Sequence, residues 1–214
     1  MEIKKIGHCC LFIKIGDLTI LTDPGSFSVE QDNLIGIDIV LITHEHADHM
    51  HVGSIENILK NNPNIVILTN ASVAKKLNAL NIKYSLLNNR QIFKIKEMEI
   101  EAFDCKHEEI FQDIGQVQNT GYLINKKLFY PGDSFFNPNI KVDILALPVA
   151  GPWCKISDSV RYALEIKPKI AFPVHDGMLR GDRIGSAHTV PLKILSENGI
   201  EFIEMKDGDT MKFK

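Results

Sequence analysis

A chain of 214 residues, 44% hydrophobic and 24% charged, has the make-up of an ordinary globular protein and is long enough to bury one substantial core. Its formal charge of −3 gives no general attraction for nucleic acid, so a nucleic-acid partner is not expected. No apolar run approaches the ~20 residues of a membrane-spanning helix, and the opening Met1-Glu2-Ile3-Lys4-Lys5, soon followed by Lys14, is unlike a secretory signal.

These features lead us to expect a cytoplasmic protein and, with no repeat, linker or low-complexity tract in view, one domain over residues 1–214. The cysteines point the same way. Cys9 and Cys10 are adjacent, Cys105 and Cys154 lie far away, and no Cys-x-x-Cys occurs. All four read as small reduced apolar side chains, with Cys10 or Cys105 as a metal ligand the sharper alternative.

In chain order, residues 3–24 read as two strands joined at Gly16-Asp17, the second ending at Asp23-Pro24-Gly25. The apolar run 37–42 is a buried strand. A helix over 52–60, a strand over 64–69 and a helix over 71–80 follow, which is alternating α/β order. From Tyr84 to Tyr130 the pattern becomes short strands and turns, including a half-solvated strand at 98–103 and a hairpin around Asn125-Lys126-Lys127. A strand over 144–149, a helix over 157–166 and a strand over 169–174 restore the alternation. The last helix is expected to carry Pro191 in its first turn and to stop at Gly199, before a final hairpin around Asp207-Gly208-Asp209. Pattern alone gives α/β or α+β.

The run Thr43-His44-Glu45-His46-Ala47-Asp48-His49 stands out, because three histidines and an aspartate at the end of a buried strand are hard to justify as packing. Nitrogen and oxygen donors at that density suit a metal of zinc's type. In an extended chain His44 and His46 point to one side and can bind one ion. Asp48 and His49 can face one point only if the chain turns, which suggests a second ion. The helical His-Glu-x-x-His zinc motif is absent. His107, Asp133 and His175 each follow an apolar strand, where binding residues concentrate. Each could also be an ordinary strand-end residue.

The spacing His44-x-His46-x-Asp48-His49 after a strand resembles the signature of the metallo-β-lactamase-fold hydrolases. The likeness runs in family order through Asp23, the cluster, His107, Gly132-Asp133 and His175. It implies a four-layer αββα sandwich. It also implies a first-ion triad of His44, His46 and His107, and a second of Asp48, His49 and His175, with Asp133 bridging. Asp23 matches an aspartate that orients a ligand in relatives. Gly7-His8-Cys9 is similar to the start of the branch holding ascorbate-6-phosphate lactonase-like enzymes and N-acylphosphatidylethanolamine-hydrolysing phospholipases, where the histidine lies near the metals.

Two divalent ions, zinc first with manganese and iron as alternatives, lower the pKa of water from 15.7 to about 7 and can share the resulting hydroxide. The expected activity is hydrolysis of an ester, lactone, thioester or phosphoester of a small anionic substrate. Asp48 would orient the nucleophile, and His8 or His188 would protonate the leaving group. Arg180, Arg183 and Lys155 lie on loops able to hold an anion, though solvated surface charge also explains them. The alternatives are a nuclease acting on nucleic acid, a redox di-iron protein, and a non-catalytic metal-binding module on the same fold. Nothing in the sequence sets the oligomeric state.

Overall fold

The computed structural model describes residues 1–213. The chain divides into two compact units, Met1–Asn88 with the tail from Lys206, and Asn89–Met205. Each has its own seven-stranded mixed sheet.

In the first unit, β1 (Glu2–Gly7), β2 (Cys10–Ile15) and β3 (Leu18–Thr22) form an antiparallel meander. The chain then switches to parallel pairing: β4 (Ile39–Leu41), α1 (Val52–Asn61), β5 (Val66–Thr69), α2 (Ala71–Ala79) and β6 (Ser85–Leu86). Ile39, Val40, Leu41 and Ile42 are all buried, as strands covered on both faces must be. Ile55 and Ile58 of α1 and Val73 and Leu77 of α2 pack with Val40, Ile42 and Ile67. Each such side chain contributes roughly 1.5–3 kcal/mol by leaving water.

Residues 3–24 hold three strands where two were expected. The extra reversal lies at His8-Cys9, between Gly7 and its partner Cys10, where His8 takes φ +51°; the ladder slips just before it, between Lys5 and Gly7. An unbroken apolar pattern through Ile6, Cys9, Cys10 and Leu11 hid this turn, with Gly7 the one local signal. His8 therefore sits at a turn.

The second unit repeats the plan. Strands β7 (Ile92–Ile95), β8 (Met98–Lys106), β9 (Gln118–Ile124) and β10 (Leu128–Tyr130) are antiparallel. Parallel pairing follows through β11 (Ile144–Pro148), α3 (Ile156–Ile166), β12 (Ile170–Val174), α4 (Ser186–Glu197) and β13 (Glu201–Phe202). Its core joins Phe129, Leu145, Leu147 and Ala171 to Val160 and Ala163 of α3 and Ala187 and Leu195 of α4. Pro191 is inside α4, not in its first turn, because the helix already starts at Ser186 with the His188 and Thr189 amides donating to Gly185.

The tail is not a hairpin. Glu201 and Phe202 extend the second sheet beside β12, whereas β14 (Thr210–Lys212) pairs antiparallel with β1 in the first sheet. In the turn at 206–209 the Gly208 amide donates to the Lys5 carbonyl and the Asp209 carbonyl accepts the Lys5 amide, so both pair with β1 rather than with a strand in the tail.

Asn62 caps α1 and fixes the path into β4. Its amide oxygen accepts from the Ile37 amide at 3.0 Å, and its nitrogen donates to Leu34 and Ile58 carbonyls at 2.8 and 3.0 Å. Removing a side chain that satisfies buried backbone groups costs about 1–3 kcal/mol per group stranded. Asn62→Ala is expected to destabilise the protein by about 2–3 kcal/mol in urea unfolding, whereas its exposed neighbour Asn61→Ala should stay within about 0.5 kcal/mol of wild type.

Candidate metal centre

In the first unit the candidate donors follow β4 and are organised by Asp23, at the end of β3. Asp23 is fully buried and takes φ +35°. Its Oδ1 accepts the Thr43 amide at 2.8 Å, and its Oδ2 accepts the Thr43 hydroxyl and His49 Nδ1, both at 2.8 Å. A hydroxyl has one proton. Having given it to Asp23, Thr43 Oγ1 meets His44 Nδ1 at 3.0 Å as an acceptor. One carboxylate thus fixes the Nδ1–H tautomer of His49 directly and that of His44 through Thr43. Both rings are left with a basic Nε2, the form that binds a metal.

The turn that Asp48 and His49 require is present, since the amides of His49 and Met50 both donate to the His46 carbonyl, at 3.0 and 2.8 Å. The His44 ring lies 4.7 Å from that of His46 and 4.1 Å from that of His49, and ligating atoms of His44 and His46 come within 4.8 Å of each other. His8, 1% exposed, points Nε2 at Asp48 Oδ2 across 3.3 Å and sets its ring edge against Phe27. Asn70 closes the turn from behind. It caps α2 through the Ser72 and Val73 amides and donates to the Thr43 carbonyl at 2.8 Å.

In the second unit His107 follows β8, Asp133 follows β10 and His175 follows β12, and all three are at most 2% exposed. His107 Nδ1 donates to the Glu108 carbonyl and His175 Nδ1 to the Ala150 carbonyl, each at 2.6 Å. Their Nε2 atoms then face Asp133 Oδ2 at 3.2 and 2.9 Å. Two imidazole nitrogens and a carboxylate oxygen crowded together out of water call for a cation or a proton among them. The donor set fits a divalent metal of the zinc, manganese or iron kind.

Two residues that the sequence did not flag hold Asp133. Asn119 accepts the Asp133 amide at 3.1 Å and donates to the Pro131 carbonyl at 2.8 Å. Trp153 donates its indole N–H to Asp133 Oδ2 at 3.0 Å. The only sequence signal for the latter is Gly151-Pro152-Trp153 directly after an apolar run.

His188 lies on the first turn of α4, 3% exposed, with Nε2 2.9 Å from Asp176 Oδ2. Arg180 forks onto Asp182, and both are exposed. Burial raises the thiol pKa of Cys10 and Cys105, and Cys154 is pushed up to about 12 by burial and by the Asp133 charge. Among the described residues, neither Cys10 nor Cys105 falls in a group of possible ligand atoms close enough to share an ion. The cysteine grouped with His8 and His49 is instead Cys9.

A family model described as a beta-lactamase superfamily domain matches residues 2–175. A Mycobacterium tuberculosis protein is 31% identical over 86% of this chain and 88% of its own length. A UPF0173 metal-dependent hydrolase of Nanoarchaeum equitans is 26% identical over 82% of this chain and 83% of its own. Among solved structures, a protein of Parabacteroides distasonis designated a metal-dependent hydrolase superposes with a TM-score of 0.76 at 27% identity, covering 94% of this chain and 91% of that one. The chain belongs to the beta-lactamase superfamily and, within it, is a metal-dependent hydrolase with the α/β metallo-β-lactamase fold.

Gly25 is where the Asp23 loop and the histidine loop touch. The Ser26 amide donates to the Ala47 carbonyl at 2.9 Å, and a Cβ on Gly25 would lie 1.7 Å from the Asp48 carbonyl oxygen. Gly25→Ala must therefore displace the 46–49 turn, with an expected loss of about 3 kcal/mol and of metal affinity, read by thermal unfolding and chelator competition. Gly181→Ala, with nothing within 4 Å of the new carbon, should match wild type in both.

Proposed function

We propose that His44, His46, Asp48, His49, His107, Asp133 and His175 bind a pair of divalent ions, zinc first, for hydrolysis of an ester, lactone, thioester or phosphoester of a small anionic substrate. One observation carries the reading. His44, His49, His107 and His175 each commit Nδ1 to an oxygen acceptor, which leaves Nε2 as the metal-binding atom. Packed surface histidines have no need of four such fixed tautomers.

Ions held by these residues would lower the pKa of water into the neutral range and polarise the electrophile. Asp48 keeps 20% of its side chain exposed and so can orient a water for attack. An unperturbed carboxyl, with a pKa of about 4, is too weak a base to do this unaided. His8, beside Asp48, is the group in this reading that hands a proton to the leaving oxygen or sulfur. Burial and its bond to Asp176 favour a supporting role for His188, bracing the residue next to His175, over proton transfer to substrate. A cytoplasmic setting is part of the proposal, in keeping with cysteine spacing that suggests no disulfide framework. No helix among the described residues is long and apolar enough to cross a membrane.

Metal analysis of the purified protein beside His44→Ala and Asp133→Ala tests the reading. About two equivalents are expected in wild type, falling in both variants together with activity in a screen of esters, lactones and phosphodiesters. Full occupancy in the variants would remove these residues from the ligand set.

A further inference from the structure

Trp153 is the only tryptophan in the chain, and its one polar atom is aimed at one oxygen of Asp133. The loop that carries it leaves little freedom. Gly151, Pro152, Trp153 and Cys154 form a β-turn closed by the Cys154 amide on the Gly151 carbonyl at 3.1 Å, with proline at the position that favours it. Gly151 has φ +148°, and a Cβ there would press on Trp153 Nε1 at 3.1 Å and on the His175 ring at 3.2 Å. The indole is wedged edge-on among three rings, with centroids 5.8 Å from His107, 5.3 Å from His175 and 5.3 Å from Phe135. Only 8% of the residue is exposed.

Filling that space needs an aromatic ring but not an N–H. An indole nitrogen only donates, so the direction of the bond is settled. Asp133 Oδ2 is the oxygen that both His107 Nε2 and His175 Nε2 approach. A carboxylate turns about its terminal torsion with little hindrance, because that torsion is broad. The indole N–H stops that rotation and keeps Oδ2 between the two imidazoles before any ligand arrives.

We propose that Trp153 is a positioning residue for metal binding, which sets the orientation of the Asp133 carboxylate through its indole N–H. The inference rests on the reading of Asp133 as a metal ligand. Partners of this kind typically govern metal affinity by about 10–100-fold.

With a single tryptophan, the donor can be removed without altering the shape, by growing a tryptophan auxotroph on 3-benzothienylalanine, in which sulfur replaces the N–H. Zinc affinity is measured by chelator competition in the wild-type and Asp133→Ala backgrounds, with Trp153→Phe as a second variant. The expected result is an affinity about 10–100-fold weaker in the wild-type background, with no further change in Asp133→Ala, which has no oxygen left to accept the N–H. In metal-free protein, the sole indole proton–nitrogen cross-peak should move upfield in Asp133→Ala. An affinity within about twofold of wild type after the replacement, or an equal loss in both backgrounds, overturns the positioning role while leaving Asp133 a ligand. A wild type that binds no zinc would instead overturn the ligand set, and this inference with it.

Discussion

The buried carboxylate of Asp23 is the constraint on which the first unit depends. It receives the Thr43 amide, the Thr43 hydroxyl and His49 Nδ1. A buried charge without such bonds would be costly; with them it becomes a rigid template. The bond to the Thr43 amide ties the end of β3 to the end of β4, so the same group that orders the backbone also sets the proton positions on two histidines. Because His44 is reached only through a hydroxyl, the hydroxyl's single proton makes the arrangement directional. Threonine at position 43 is therefore part of the chemistry, although its neighbours draw more notice in the sequence.

The second unit solves the same problem by different means. Its histidines give their Nδ1 protons to main-chain carbonyls, those of Glu108 and Ala150, and its aspartate is itself a candidate ligand that needs holding. Asn119 fixes its backbone and Trp153 its side chain. Both units have the same build, an antiparallel meander that changes to parallel strands linked by helices. In each, the candidate donors sit on loops that follow strands, where a rigid sheet holds them in place.

Much of this was legible in the chain itself. The alternating order, the helices near 52–60, 71–80 and 157–166, and the buried run at 37–42 follow from apolar periodicity, which responds to burial alone. The motif at 44–49 was visible because ligand-type residues are dense there. His107, Asp133 and His175 were visible only as isolated polar residues at strand ends, and it took the family resemblance to single them out. What stayed hidden depends on tertiary contacts. The reversal at His8-Cys9 uses a positive φ in a residue that is not glycine, and the tail divides its strands between two sheets. Trp153 and Asn119 drew no notice in the sequence, since nothing local reveals where an N–H or an amide points.

The most direct test of the account is the zinc affinity of Asp23→Asn, by chelator competition on protein whose near-ultraviolet circular dichroism matches wild type. The amide nitrogen that replaces one oxygen only donates, so the side chain can no longer accept the Thr43 amide, the Thr43 hydroxyl and His49 Nδ1 together, and the imidazole tautomers lose their common anchor. Binding about 10–100-fold weaker than wild type is expected. Wild-type affinity in a folded Asp23→Asn variant would contradict it.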